Sequence, residues 1–243
     1  MATRFHIGAK ELRGDIAAYA KRFDLLEVAM DPKHPHTIAT LRRWRKNVPP
    51  HFDFCVVAGP ALAKIKPSPA LDADLAAALA AVEALQARCL LIQTPADVTP
   101  SALWRERITK LLARFPRDAT HVIWEPGGVW EVEDAAVAAR AWDIVLCVDP
   151  SREPVPAGPV SYCRLPSIGE TRSYGTAALE RVVEAIGPRR DAYVVLETAS
   201  ALAECKALRR LAQGTRTVSP KGGTARILRP RGATVRVGDD EQE

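Results

Sequence analysis

Several features that would name a function are missing from this sequence. It has five cysteines, Cys55, Cys89, Cys147, Cys163 and Cys205, and no CxxC spacing among them. Zinc and thiol-redox sites usually need that spacing, so neither chemistry is indicated. Four of the five lie in apolar, strand-like runs, the pattern of small buried hydrophobes in a reducing compartment rather than a disulfide frame. No apolar run reaches the roughly 18 residues of a membrane span. The nearest approach, Leu71 to Ala87, is interrupted by Asp72, Asp74 and Glu83 and reads as a soluble helix. The stretch from Met1 to Gly8 has no secretory character, so a cytoplasmic protein is expected. There is no P-loop, no GxGxxG turn and no GxSxG elbow, and no nucleotide cofactor is expected.

The chain does contain a rhythm. Apolar, β-branched runs fall at Phe5–Gly8, Leu25–Ala29, Phe52–Val57, Cys89–Gln93, Val122–Glu125, Ile144–Asp149, Val160–Leu165 and Tyr193–Glu197. Several are apolar at successive positions, as in parallel strands covered on both faces. Helical patterns separate them at Glu11–Arg22, Thr37–Lys46, Leu71–Ala87, Pro100–Arg114, Val132–Ala141, Tyr174–Ile186 and Ala199–Ala212. Thr99 before Pro100 reads as a cap followed by a first-turn proline. Pro150, Pro154, Pro156 and Pro159 make the stretch between Asp149 and Val160 a loop. Strand number favours a TIM-type (β/α)8 barrel over a doubly wound open sheet, and 243 residues suit it as one domain.

The expected barrel covers residues 1–213. Residues 214–243 form an irregular C-terminal tail, first basic and then acidic. Arg216, Lys221, Arg226, Arg229, Arg231 and Arg236 lie there without an intervening acid, before Asp239, Asp240, Glu241 and Glu243. Such a segment can engage phosphate backbones electrostatically or remain a solvated extension.

Barrel sites form where strands end, so polar residues there carry the functional question. They are Glu27, Gln93, Glu125, Asp149, Arg164 and Glu197. Acids in apolar strands cost free energy unless paired, hydrogen-bonded or metal-bound.

The same positions carry a family likeness. Glu27 matches the acid of a VEINSTFY-like stretch. Thr40–Trp44 with Pro49, Phe52 and Phe54 follows a tryptophan–proline–phenylalanine pattern. Leu91-Ile92-Gln93-Thr94-Pro95 is similar to LFQLPP, and Glu125 with Trp130 to EFRHPSW. Asp149 matches an aspartate after the sixth strand, and Tyr162–Leu165 with Tyr174 matches a YVRLHG…Y region. In this order over residues 5–212, the chain resembles the YecE-like family (domain of unknown function 72), which implies a TIM barrel. It departs where the family pattern has an arginine (here Pro126), a histidine (Pro166), paired asparagines (Glu197-Thr198), a lysine (near Val57-Ala58) and a polar run (Ala29-Met30-Asp31).

Two functions are consistent with these residues. In the first, the mouth is a phosphoester- or nucleic-acid-acting hydrolase. Glu27, Glu125 and Asp149 are then the candidate catalytic acids, and Gln93, Arg164, Tyr174 and Trp130 the substrate contacts. A metal-assisted form would use Glu27, Glu125, Asp149 and Glu197, an oxygen-rich set suited to Mg²⁺ or Mn²⁺. In the second, chemistry is lost and the barrel is a binding or scaffold module, with the tail contacting nucleic acid or an acidic partner.

Overall fold

The computed structural model describes residues 3–214 except 11, 13, 32, 117–119 and 168–172. The basic tail therefore lies outside the described residues. Eight parallel strands close into a barrel in sequence order: β1 (Arg4–Ala9), β2 (Leu25–Ala29), β3 (Asp53–Val57), β4 (Cys89–Thr94), β5 (His121–Pro126), β6 (Val145–Val148), β7 (Val160–Leu165) and β8 (Asp191–Leu196). The barrel closes through β1 and β8, paired over six residues from Arg4↔Asp191 to Ala9↔Leu196. The open-sheet alternative is thereby excluded.

Around it run α1 (Ile16–Ala20), α2 (Ile38–Lys46), α3 (Pro60–Ala63), α4 (Pro69–Leu85), α5 (Ala102–Leu112), α6 (Val132–Ala141), α7 (Thr176–Ile186) and α8 (Ala201–Gly214). The short α3 was not anticipated; Asp74 of α4 fixes it by accepting the Ala61 and Leu62 N–H groups at 2.8 and 3.1 Å. The first helix is shorter than its apolar pattern because Gly14 adopts φ 81° and Asp15 then caps Ala17 and Ala18. The fifth starts later than expected, since the extended Ser101 rather than Thr99 holds the cap position and its carbonyl accepts the Arg105 N–H at 3.0 Å. No described helix is long and apolar enough to cross a membrane.

Alternation along the strands divides the core in two. Outward side chains such as Leu26, Phe54, Ile92, Trp124 and Val194 pack beneath the helices. Inward ones, among them Leu25, Leu91, Ile123, Tyr162, Tyr193 and three cysteines (Cys55, Cys89 and Cys147), plug the barrel. All five cysteines are buried and free. Burial pushes the Cys163 thiol up to about 12, leaving it inert at neutral pH.

Below this plug, at the strands' N-terminal end, His6 lies between Asp53 (Nδ1 to Oδ2, 2.7 Å) and Asp191 (Nε2 to Oδ1, 3.1 Å). Arg88 and Arg190 hold the other oxygens of those aspartates at 3.2 and 2.9 Å. The imidazole stacks on Tyr193, with centroids 4.6 Å apart. Burial opposes its charge, but the two aspartates outweigh that and raise its pKa.

Candidate functional site

A charge inside a strand covered on both faces must find its partners there. Arg164, near the end of β7 and only 8% exposed at its side chain, finds three. Nη2 reaches Glu27 Oε2 at 3.1 Å and Glu197 Oε1 at 2.9 Å, and Nη1 reaches Glu125 Oε2 at 2.8 Å. These acids come from β2, from just beyond β8 and from β5, so barrel closure assembles the cluster from strands far apart in sequence.

Each carboxylate has a further partner. Tyr162 donates its hydroxyl to Glu27 Oε1 at 2.8 Å, from two residues before Arg164 on the same strand. Gln93, paired with Glu125 in the β4–β5 register, donates Nε2 to Glu125 Oε2 at 2.7 Å. Lys10 Nζ reaches Glu197 Oε2 at 3.1 Å. Burial raises the pKa of Glu27, and Glu125 and Glu197 add to the effect against the pull of Arg164 and Tyr162. Burial disfavours the Arg164 charge, but the three acids more than compensate and hold its pKa above the ordinary value.

Above the cluster opens a cavity of about 220 Å³, whose wall includes Glu125, Trp130, Asp149, Glu153, Arg164 and Glu197. Two buried polar atoms on this wall, Arg164 Nε and Asp149 Oδ2, have no hydrogen-bond partner among the described residues. Arg152 Nε is 3.5 Å from that aspartate oxygen, an ion pair rather than a hydrogen bond. Burial, and then Asp149, raise the pKa of Glu153. On the far side of Glu197 a second cavity of about 280 Å³ is lined by Lys10, Tyr19, Arg22 and Thr198 among others.

The sequence of the family described as "Protein of unknown function DUF72" matches residues 5–226. The chain belongs to that family. A DUF72 protein of Enterococcus faecalis superposes with a TM-score of 0.67 at 15% identity, covering 86% of this chain and 96% of that one. A DUF72 protein of Thermotoga maritima gives 0.63 at 16% identity, with 86% and 99% covered. D-psicose 3-epimerase of Clostridium cellulolyticum, solved with D-tagatose, gives 0.55 at 12% identity, with 87% and 96% covered. At these identities the likeness shows the fold alone. No curated protein matches the chain.

Within this DUF72 barrel the expected site residues separate. Glu27, Gln93, Glu125 and Arg164 come together. Asp149 lines the cavity but stays outside the cluster, its Oδ1 accepting the Ser151 N–H at 2.9 Å and the Ser151 hydroxyl at 2.6 Å. Trp130 is chiefly a core residue. Its indole N–H donates to the Val98 carbonyl at 2.7 Å, Trp124 packs edge-on, and Arg105 lies 4.9 Å over its ring. Tyr174 ties the β7–α7 connection, donating its hydroxyl to the Pro166 carbonyl at 3.0 Å and its N–H to Glu204 at 2.7 Å.

The oxygen-rich set does not fit Mg²⁺ or Mn²⁺. A guanidinium fills the place between the acids, and no group of three or more His, Cys, Asp or Glu among the described residues could hold a metal. Lys10 and Glu153 escaped the sequence reading, and Tyr162 entered it only as part of a family stretch, with no role of its own. Tyr162 was hidden inside an apolar strand, and the other two lie on connections whose approach to the mouth depends on closure.

Proposed function

We propose that the mouth binds a small, neutral or cationic molecule rich in hydroxyl or amino groups, and that Glu125 moves a proton on it. The supporting observation is the cavity wall, where Glu125, Glu197, Asp149 and Glu153 share the lining with one guanidinium and two buried polar atoms lack partners among the described residues. Arg164 Nε–H is a donor and Asp149 Oδ2 an acceptor, so a hydroxyl or amide group could satisfy both, whereas a hydrocarbon could satisfy neither. Glu125, with its side chain 32% exposed, is the most open acid of the Arg164 cluster. Gln93 and Arg164 hold it from one side, which orients it as a general base requires.

The sequence also suggested a phosphoester substrate. That reading has less support, because acids outnumber cations among the described residues of the mouth. Pro126 and Pro166 line the cavity where the family pattern has arginine and histidine. An added phosphate dianion would meet surplus negative charge. The five free thiols suit the cytoplasm, where such a small-molecule site would operate.

The test is calorimetric titration with a panel of aldoses, ketoses and amino sugars, followed by NMR of any bound compound in D₂O. We expect saturable binding and deuterium incorporation that Glu125→Gln abolishes while binding persists. Binding with no exchange or turnover would favour the non-catalytic module. Preferential binding of sugar phosphates or oligonucleotides would overturn the proposal.

A further inference from the structure

A larger cavity lies at the opposite end of the barrel wall, and its origin is visible in the strand ladders. On one side β6 pairs with β5 through Ile123↔Val145 and Trp124↔Leu146. On the other it meets β7 only at Cys147↔Tyr162 and Val148↔Cys163. In that register Val145 and Leu146 stand opposite Val160 and Ser161, and no ladder pair forms there. Just before β6, Asp143 takes φ 53° and ends α6, whose last turn is closed by the Asp143 and Ile144 N–H groups on the Arg140 and Ala139 carbonyls. The result is a wedge between β5, β7 and α6, roofed by the loop Pro156–Pro159.

The wedge encloses about 410 Å³, within the range of small-molecule pockets. Its walls are mostly apolar, formed by residues such as Val122, Ala136, Ile144 and Val160. Arg140 and Arg190 bring two guanidinium groups to it, His121 an imidazole and Asp143 a carboxylate. Arg190 is tied through Nε to Asp191 at 2.9 Å, which sets its position. The pKa of His121 is lowered by burial and by Arg190, so it serves as a neutral hydrogen-bonding group at pH 7. The Ser161 hydroxyl also lines the wedge, on a residue 3% exposed, and is buried without a hydrogen-bond partner among the described residues. Buried hydroxyls are seldom left so unless something outside the chain meets them.

We infer that this wedge is a second ligand site, for a small organic anion with an apolar body and one carboxylate, sulfonate or phosphate head. The head lies between Arg140 and Arg190 and the body against the apolar wall. The site sits at the N-terminal end of the strands, away from where barrels place chemistry, and is a binding site rather than a catalytic one.

The probe is 8-anilinonaphthalene-1-sulfonate, followed by its fluorescence on the full chain. One saturable site is expected, weakened at least tenfold by Arg140→Glu and by Ala136→Trp, which fills the wedge from α6. Arg210→Glu makes the same charge change on α8 and should leave the affinity within twofold. Benzoate should displace the dye, and benzyl alcohol should not. Arg140 is exposed, so its variant keeps the fold; a thermal melt checks Ala136→Trp. The inference fails if no saturable site exists, if Arg140→Glu binds like the parent, or if the alcohol competes as well as the acid.

Discussion

At the C-terminal end of the strands one guanidinium meets three carboxylates, and at the N-terminal end one imidazole meets two. Both are basic side chains buried among acids, and both seal the same apolar plug. They differ in what is left over. At the base, Arg88 and Arg190 hold the outer oxygens of the aspartates, so each acid is shared between His6 and an arginine. At the mouth, Lys10 is the one further cation that reaches the cluster among the described residues, and the wall above adds Asp149, paired with Arg152, and Glu153. Asp53 Oδ2 at the base, like Asp149 Oδ2 at the mouth, meets its basic partner as an ion pair without a hydrogen bond, so the contrast rests on the balance of charge and on the cavity that opens above Arg164.

The largest effect should come from removing the mouth's cation. Arg164→Met leaves three acids facing one another and should cost about 3–5 kcal/mol, the usual penalty for stranding buried charge. Urea denaturation at pH 7 measures it, and the loss should shrink as the pH is lowered, because Glu27, with its pKa raised by burial, takes up a proton before an ordinary carboxylate does. A cost no greater than that of a surface substitution would mean the mouth is already solvated, and the contrast with the base would collapse.

The base should be next, and its signature is pH. His6 has a raised pKa, so the folded state binds more protons than the unfolded one as pH passes the ordinary histidine value. Its contribution is complete below about pH 6.5 and is lost as pH rises through the folded value. His6→Leu should cost about 1.5–3 kcal/mol at pH 6, the scale of a hydrogen bond to a charged group, and less at pH 9. Equal costs at both pH values would show that the imidazole is neutral in the folded protein.

The two ends also differ in how readable they are. Glu27, Glu125 and Arg164 stand out because a charge inside an apolar strand demands a partner, and the family likeness singles out the same positions. Glu197 is visible as a strand-end acid, but its bond to Arg164 depends on the register in which β8 meets β7, Arg164↔Val195, which an apolar strand pattern does not specify. His6 went unremarked, since one histidine between Phe5 and Ile7 carries no pattern, and its aspartates open β3 and β8 rather than end them. The eight strands were legible because parallel strands covered on both faces are continuously apolar. Helix ends were less so, because local devices such as Gly14-Asp15 and Ser101 override the apolar period.

Glu125→Gln should separate folding from function. The side chain is partly solvated, and the change relieves crowding of like charge, so stability should move by less than about 1 kcal/mol. The proton transfer proposed for the mouth should disappear. A large loss of stability would place Glu125 with the structural pairs and make the mouth resemble the base.

The smallest effect tests whether Lys10 belongs to the cluster or only borders it. Its side chain is 51% exposed and touches Glu197 through Oε2, while Arg164 holds Oε1. An exposed pair of this kind is worth about 0.2–1 kcal/mol, and about 1 M salt screens most of it. Lys10→Met should therefore cost little in dilute buffer and nothing measurable in high salt. Because Lys10 and Glu197 also line the second cavity, ligand affinity at the mouth can change where stability does not. Affinity that falls at least threefold with stability intact would make the two cavities parts of one site divided by Glu197. Unchanged affinity would confine the ligand to the cavity above Arg164.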